Sequence, residues 1–306
     1  MSDGVQLCAL DGSNPLAFLA ALGTLRLVHL SNPSAEVRMC WERCRGFWSP
    51  KLQGLDTDED RLCEVLLRAP WAPAKRFEQI GNNLTVSSKS FSPFVREAQK
   101  CATRHDRRTA DFAAAFGCET CEDKQKDRIE YTDLCFTTGS GHQDFLGTMS
   151  ALAEKVTTAH IRDALFGSWR AEKGLSMRWD PSDATEYALR WDDPSTRGAW
   201  SVWGANRLAV EALPFFPTVP GKSGLQTTGF RFNKRDRWDE FTWPIWTQFA
   251  GPDAIRSLVA LGELQEDAPK RDLLRARGIA EVFRAQRVRI GQGANFKVSF
   301  RPARAV

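Results

Sequence analysis

The chain has 306 residues, of which 42% are apolar and 26% are charged. This is the composition of a folded globular protein, and it excludes an intrinsically disordered chain. The apolar stretches are too short to cross a bilayer, and the first residues lack the basic-then-apolar order of a signal peptide. We therefore expect a cytoplasmic protein without membrane contact, whose eight cysteines remain reduced thiols.

Charge is distributed unevenly along the chain. The segment 270–306 contains ten Lys and Arg against two acids, a net charge of +8, whereas residues 1–269 carry a net charge of −4. A near-neutral body with a basic C-terminal end is the asymmetry expected of a protein that binds a polyanion.

The pattern of the first part of the chain predicts mainly helices. A helix over 16–28 should start at the N-cap Asn14, with Pro15 at its first position, and should be buried because it is apolar on most faces. The other elements predicted here are strands over 5–10 and 37–41, a helix over 57–68, a helix that opens at 92–93, and a long helical region over 144–169.

Past residue 179 the pattern changes to aromatic strands and turns. The predicted elements are strands over 187–191, 227–232 and 241–246, a helix over 253–264, and a hairpin at the end. We therefore predict an α/β (α+β) fold of two lobes. Residues 1–195 form a helix-rich lobe with short N-terminal strands, and residues 196–306 form a mixed lobe that contains antiparallel strands.

The terminal hairpin carries the strongest functional signal. Residues 287–290 and 296–301 each alternate polar and apolar side chains, and a glycine-rich loop at 291–295 separates them. Period 2 is expected to place the apolar side chains on one face, and on the other face four cations, Arg287, Arg289, Lys297 and Arg301.

Four like charges on one face of a hairpin repel each other, and a phosphate backbone would relieve that repulsion. We therefore predict nucleic-acid contacts at this face. The predicted surface also includes upstream cations and a second, weaker basic loop, namely Arg275, Arg277 and Arg284, then Lys234 and Arg235. The alternative is that the arginines pair with carboxylates of the acidic body.

Two further clusters have the residue types of metal sites. Cys101 and His105, followed by Cys118 and Cys121, match the ligands of a structural zinc site, although scattered reduced thiols with an exposed histidine are the favoured interpretation. Apart from this possible zinc, no cofactor is expected. Asp111, with Glu122 and Lys124, has the composition of a metal-dependent nuclease centre, but the surrounding run of mixed charge is typical of a solvated surface. We therefore expect no enzymatic activity.

Several short motifs resemble those of a known family. Residues 10–27 resemble the opening of the large-subunit-like proteins of type I-U/I-G CRISPR systems. Residues 178–181, 187–190 and 206–217 are similar in order to the central region of those proteins, and residues 243–246 with the basic terminal strand resemble their close.

This resemblance implies a non-catalytic, nucleic-acid-binding subunit of an RNA-guided DNA-targeting complex for antiviral defence. Its partners would be other effector-complex subunits and guide RNA or target DNA, RNA-binding and DNA-binding being equally open. A metal-dependent nuclease accessory and a purely structural scaffold subunit are the alternatives.

Overall fold

The computed structural model describes residues 4–55, 58–103, 106–123, 125–136, 144–184, 200–222, 224–290 and 296–306. The α-helices are α1 (Pro15–Ser31), α2 (Glu59–Arg68), α3 (Ala74–Phe77), α4 (Ser88–Cys101), α5 (Arg108–Phe116), α6 (Phe145–Lys155), α7 (Thr158–Phe166), α8 (Trp203–Val210), α9 (Pro252–Val259) and α10 (Arg271–Ala276). Short 3₁₀ helices span Pro181–Ala184, Leu213–Phe215 and Gly262–Gln265.

The strands are β1 (Val5–Gln6), β2 (Arg38–Cys44), β3 (Phe47–Gln53), β4 (Gly117–Asp123), β5 (Arg128–Tyr131), β6 (Glu172–Lys173), β7 (Trp200–Ser201), β8 (Thr218–Gly221), β9 (Gly224–Thr227), β10 (Phe230–Asn233), β11 (Trp238–Trp246), β12 (Ile279–Ile290), β13 (Lys297–Phe300) and β14 (Arg304–Ala305). Helices and antiparallel strands together confirm the predicted α+β class.

The largest sheet, called the main sheet below, has the strand order β10-β11-β12-β13, and β14 pairs with β12 beyond β13. A second sheet has the order β1-β3-β2, and the other strands described form the two-stranded pairs β4-β5, β6-β7 and β8-β9. All of these pairings are antiparallel.

Helix α1 contacts both of the larger sheets. Its N-cap was predicted correctly, since Asn14 Oδ1 accepts hydrogen bonds from the backbone N–H of Leu16 (2.8 Å) and Ala17 (3.2 Å). Every residue from 15 to 28 is buried. On one side the Phe18 ring stacks on Trp41 of β2 (5.8 Å), and it also contacts Trp243 of β11 (5.7 Å). The helix is thus the centre of the hydrophobic core, as its apolar composition predicts.

A buried ionic cluster joins α1 to α8. Glu211 is fully buried and accepts hydrogen bonds from Arg26 Nη1 (2.9 Å), Arg207 Nη1 (3.2 Å) and the backbone N–H of Ala72 (2.7 Å). Burial lowers the pKa of Arg26, and the Glu211 carboxylate opposes that shift. Buried charges require such pairing because an isolated charge in the interior is strongly destabilising.

The residues of the two predicted lobes contribute to one contiguous buried cluster, which extends from Val5 to Phe300. The predicted boundary near residue 195 falls within 185–199, outside the described residues, as does the predicted strand over 187–191.

No helix that the structure describes combines the length and the apolar composition that crossing a membrane requires.

Some predicted elements have different bounds. The single helical region over 144–169 is two helices, α6 and α7, because Thr157 and the His160 side chain form a capping box that starts α7. The strand predicted over 227–232 is the end of β9, a turn at 228–229 and the start of β10. The strand predicted over 5–10 has only two residues, and the helix predicted over 253–264 ends at Val259.

Candidate nucleic-acid interface

The predicted C-terminal hairpin is present. Strands β12 and β13 pair from Arg287 opposite Phe300 to Ile290 opposite Lys297. The connecting loop at 291–295 lies outside the described residues. The local alternation of polar and apolar side chains was therefore a reliable guide to these strands.

The predicted common face of four cations is wrong, because the register between the strands differs from the expected one. Side chains of directly opposed residues point to the same face of a sheet. Arg287 is opposite Phe300 and Arg289 is opposite Val298, so these two arginines share a face with apolar residues of β13. Lys297 is opposite Ile290 and lies on the other face. Arg301 lies on the same face as Lys297, since its backbone N–H donates to the backbone oxygen of Gln286, the residue opposite it on β12.

The burial of Phe300 is the physical reason for this register. Its ring packs against Phe136 (4.7 Å) and Phe241 (5.6 Å), in the core that lies against this face of the main sheet. If β13 were shifted by one residue relative to β12, the Phe300 ring would point away from that core. Exposing this ring to water would be more destabilising than placing Arg287 and Arg289 beside apolar residues of β13.

The main sheet brings the two predicted basic segments to the same end of the sheet. The turn at 234–237 connects β10 to β11, whose pairing ends at Asn233 opposite Trp238. In the next pair of strands Asp239 is opposite Arg287, so the turn, residues 288–290 and residues 297–299 all lie beyond the same row. With strands about 4.8 Å apart, the backbones of Arg237 and Arg289 lie within roughly 10 Å.

We call this end of the sheet the basic edge and define it by Lys234, Arg235, Arg237, Arg289 and Lys297. The first four are exposed and Lys297 is half-buried. Asp236, in the same turn, accepts a hydrogen bond from the Asn233 side chain (3.2 Å). The five cations outnumber Asp236 and Asp239, the two carboxylates of the turn and of the adjoining row, so the edge carries a net positive charge, which attracts anions.

Aromatic side chains accompany these cations. The Arg289 guanidinium lies over the Phe296 ring, 3.6 Å from its centroid. Phe232, on the outer strand β10, is 58% exposed and stands opposite Asp239. Cations beside exposed aromatic rings are typical of surfaces that bind single-stranded nucleic acid.

Arg287 faces a different environment from its neighbours on β12. Its Nη1 lies 3.4 Å from Asp239 and 3.8 Å from Asp133, and its guanidinium lies over the Phe136 ring. Burial raises the pKa of Asp133, and the charge of Arg287 opposes that shift. For this residue the predicted alternative, pairing with carboxylates of the body, describes the contacts.

Arg284 requires a correction, since it is not on the surface. Its side chain is 2% exposed, and it donates from Nε to Thr242 Oγ1 (3.0 Å) and from Nη2 to the backbone oxygens of Leu264 and Glu266 (2.8 Å each). Burial lowers its pKa to about 10. Arg284 holds the main sheet against the segment after α9, and no phosphate could reach it.

Arg275 and Arg277 lie at the opposite end of β12 from the basic edge. Arg277 pairs with Glu263 at 2.7 Å, and Arg275 lies 3.8 Å from Asp272. Ten residues of strand separate Ile279 from Arg289, which corresponds to about 33 Å. The structure therefore does not bring these two arginines together with the hairpin cations.

The cysteines predicted as zinc ligands lie in two places. Ser88, the first residue of α4, donates a hydrogen bond to the backbone oxygen of Glu119 in β4 (3.0 Å). Cys101 is the last residue of the same helix, about 20 Å away along its axis. Cys118 and Cys121 are next to Glu119 in β4, so Cys101 is not brought together with them.

His105 lies outside the described residues. Within the described ranges, no three His, Cys, Asp or Glu side chains are grouped so that they could hold a metal ion. Burial, followed by the neighbouring Cys118 thiol, raises the pKa of Cys121. The zinc site stays a prediction.

Asp111 and Glu122, two of the residues considered for a nuclease centre, are on different elements. Asp111, on α5, is engaged by Arg107 (3.6 Å) and by the buried Arg26 (4.0 Å). Glu122 is on the β4-β5 hairpin, opposite Ile129, and Lys124 lies outside the described residues. The contacts of Asp111 are those of a structural carboxylate.

Comparison of the chain with models of known protein families and with curated proteins gave no match.

Proposed function

We propose that this chain is a cytoplasmic, non-catalytic subunit of a CRISPR-type RNA-guided DNA-targeting complex, and that its basic edge contacts the phosphate backbone of guide RNA or target DNA. The assignment to such a complex rests on the motif resemblance. The binding role rests on one observation, namely that two basic segments about 50 residues apart in the sequence meet at one end of the main sheet.

The chemistry of the edge suits phosphate contacts better than base contacts. Lys234, Arg235 and Arg237 occupy a short exposed turn, and exposed cations of this kind bind phosphates without reading sequence. Each phosphate contact releases condensed counterions and adds about 0.7 to 0.9 to the slope of log affinity against log salt concentration. The contribution of the edge is therefore measurable as a salt slope.

The test replaces four cations of the edge with glutamine, namely Lys234→Gln, Arg235→Gln, Arg237→Gln and Arg289→Gln. We expect the salt slope for a single-stranded oligonucleotide to fall by about 3, since four contacts are removed. Folding should be retained, because all four side chains are exposed. The measurement is affinity by fluorescence anisotropy at several salt concentrations, on the isolated chain and on the assembled complex.

The matched control removes the same charge elsewhere, through glutamine at four exposed cations of α2 and α4, namely Arg61, Arg68, Lys89 and Arg96. This variant should keep most of the salt slope. Equal slopes for the edge variant and the wild type would refute the phosphate contacts and favour a scaffold subunit. Cleavage of the oligonucleotide that depends on a divalent metal and is lost in Glu122→Ala would favour the nuclease.

A further inference from the structure

A cavity lies beside the basic edge, between the β4-β5 hairpin and the main sheet. It has a volume of about 300 Å³, which is at the lower end of the range for small-molecule pockets. Its polar lining consists chiefly of Asp123, Arg128, Glu130, Tyr131, Asp133 and Arg287. We call it the side pocket.

Arg287 connects the side pocket to the basic edge. It lines the pocket, and it is two residues from Arg289 on β12, so the two side chains are on the same face and about 7 Å apart. A nucleotide whose phosphate contacts Arg289 therefore has its base or sugar within reach of the pocket.

The charges of the pocket do not suit a phosphate. Three carboxylates face two arginines, and the extra negative charge repels an anion. Two of the carboxylates are already engaged, since Glu130 accepts a hydrogen bond from the backbone N–H of Leu225, and Asp123 pairs with Lys126 (3.2 Å) and Arg128 (3.8 Å). Asp133 lies 3.8 Å from Arg287 and also has a side-chain hydrogen bond with Thr227.

Arg287 offers a donor that lacks an acceptor. Its Nε is buried and makes no hydrogen bond to any residue that the structure describes. A buried donor without a partner is destabilising unless a ligand or water satisfies it. Asp133, an acceptor, and Arg287, a donor, both line the side pocket, and Tyr131 forms part of its wall.

We propose that the side pocket takes one unpaired nucleobase of the strand held at the basic edge, a role that rests on the proposed function. An exocyclic amino group of the base donates to Asp133, and a ring nitrogen or carbonyl oxygen of the base accepts from Arg287. Cytosine and adenine carry this donor and acceptor side by side, whereas thymine and uracil lack the exocyclic amino group. The site therefore selects an amino-bearing base in a single strand.

The experiment uses the full chain and three labelled single-stranded DNA probes of equal length, oligo-dC, oligo-dT and a fully abasic strand. Because the phosphates are the same in number, differences in affinity report the bases. We expect oligo-dC to bind about 5- to 100-fold more tightly than the abasic strand, the range that one bidentate hydrogen-bonded base contact supplies. Oligo-dC should also bind at least about 5-fold more tightly than oligo-dT.

Two variants locate the effect. Asp133→Ala should remove the preference for oligo-dC over oligo-dT, because alanine has no acceptor for the amino group of the base. The salt slope should be unchanged, because no phosphate contact is lost. Asp239→Ala is the matched control, since Asp239 also lies beside Arg287 (3.4 Å) but does not line the pocket, and it should keep the preference. Melting temperatures of both variants verify that they are folded.

The outcomes separate the two proposals. Equal affinity for oligo-dC and the abasic strand, with a salt slope intact, would overturn the base site and leave the phosphate contacts standing. A preference that survives in Asp133→Ala would also overturn the base site. Absence of binding to all three probes at low salt would overturn the proposed function and the base site together.

Discussion

Gly23 is the point at which α1 and α8 come closest, and a methyl group there should be strongly destabilising. A Cβ at position 23 would lie 1.8 Å from the backbone oxygen of Leu208 and 2.8 Å from its carbonyl carbon. Ordinary contact begins near 3.4 Å, so the two helix backbones would have to separate by about 1.5 Å. Overpacking a core costs typically 1 to 3 kcal/mol, and a clash between two buried backbones belongs at the upper end.

Alanine is about 1 kcal/mol better than glycine inside a helix, which offsets part of this cost. We therefore expect Gly23→Ala to lower the free energy of unfolding by about 2 kcal/mol. The measurement is urea denaturation followed by far-UV circular dichroism. Gly262→Ala is the control, because a Cβ there meets no atom within 4 Å, and it should change stability by less than about 0.5 kcal/mol.

If Gly23→Ala were as stable as the wild type, the close approach of α1 and α8 would be refuted. Gly23 also lies within 10–27, the segment that carries the motif resemblance. A large destabilisation would mean that Gly23, within the segment that carries the resemblance, is required for helix packing and not for binding.

Two further predictions concern thiols and pH. Because Cys101 lies far along α4 from β4, Cys118→Ser should leave the melting temperature unchanged. If the purified protein contained stoichiometric zinc, and this variant lost both zinc and stability, the predicted zinc site would be supported. Hydrogen bonds from Arg108 lower the pKa of Asp106 to about 2, so its carboxylate stabilises the fold above pH 4, and this contribution is lost as pH falls from about 4 to 2. Asp106→Asn should flatten the loss of stability over that interval, and an unchanged pH profile in denaturation experiments would contradict the ion pair.

Local signals in the sequence predicted the elements that depend on local chemistry. The Asn14-Pro15 start of α1 is one example, since both the cap and the fixed proline φ act within one turn. The break between α6 and α7 was missed because His160 occupies the capping-box position where Glu or Gln is usual. The sequence signal for a new helix start was Thr157, followed three residues later by the polar side chain of His160.

The register of the hairpin could not be predicted from alternation alone. Alternation fixes which residues of one strand share a face, but the pairing of two strands depends on the loop and on which side chain reaches the core. Here Phe300 decides it, through contacts with Phe136 and Phe241 that are distant in the sequence. The same limit applies to the meeting of residues 234–237 with the hairpin, which only the order of the main sheet reveals.

The net charge of a segment is a poor measure of the charge that it presents to a ligand. Residues 270–306 carry +8 in the sequence, yet Arg284 is buried, Arg304 lies 3.4 Å from the fully buried Glu240, and Arg277 pairs with Glu263. Much of that charge therefore neutralises carboxylates of the body. Conversely, the turn at 234–237 belongs to the part of the chain with net negative charge, and it supplies three of the five cations of the basic edge. A polyanion contacts the surface of the folded protein, so the electrostatic potential that attracts it depends on which side chains the strand order brings together. Counting charges along the sequence locates that positive surface only in part.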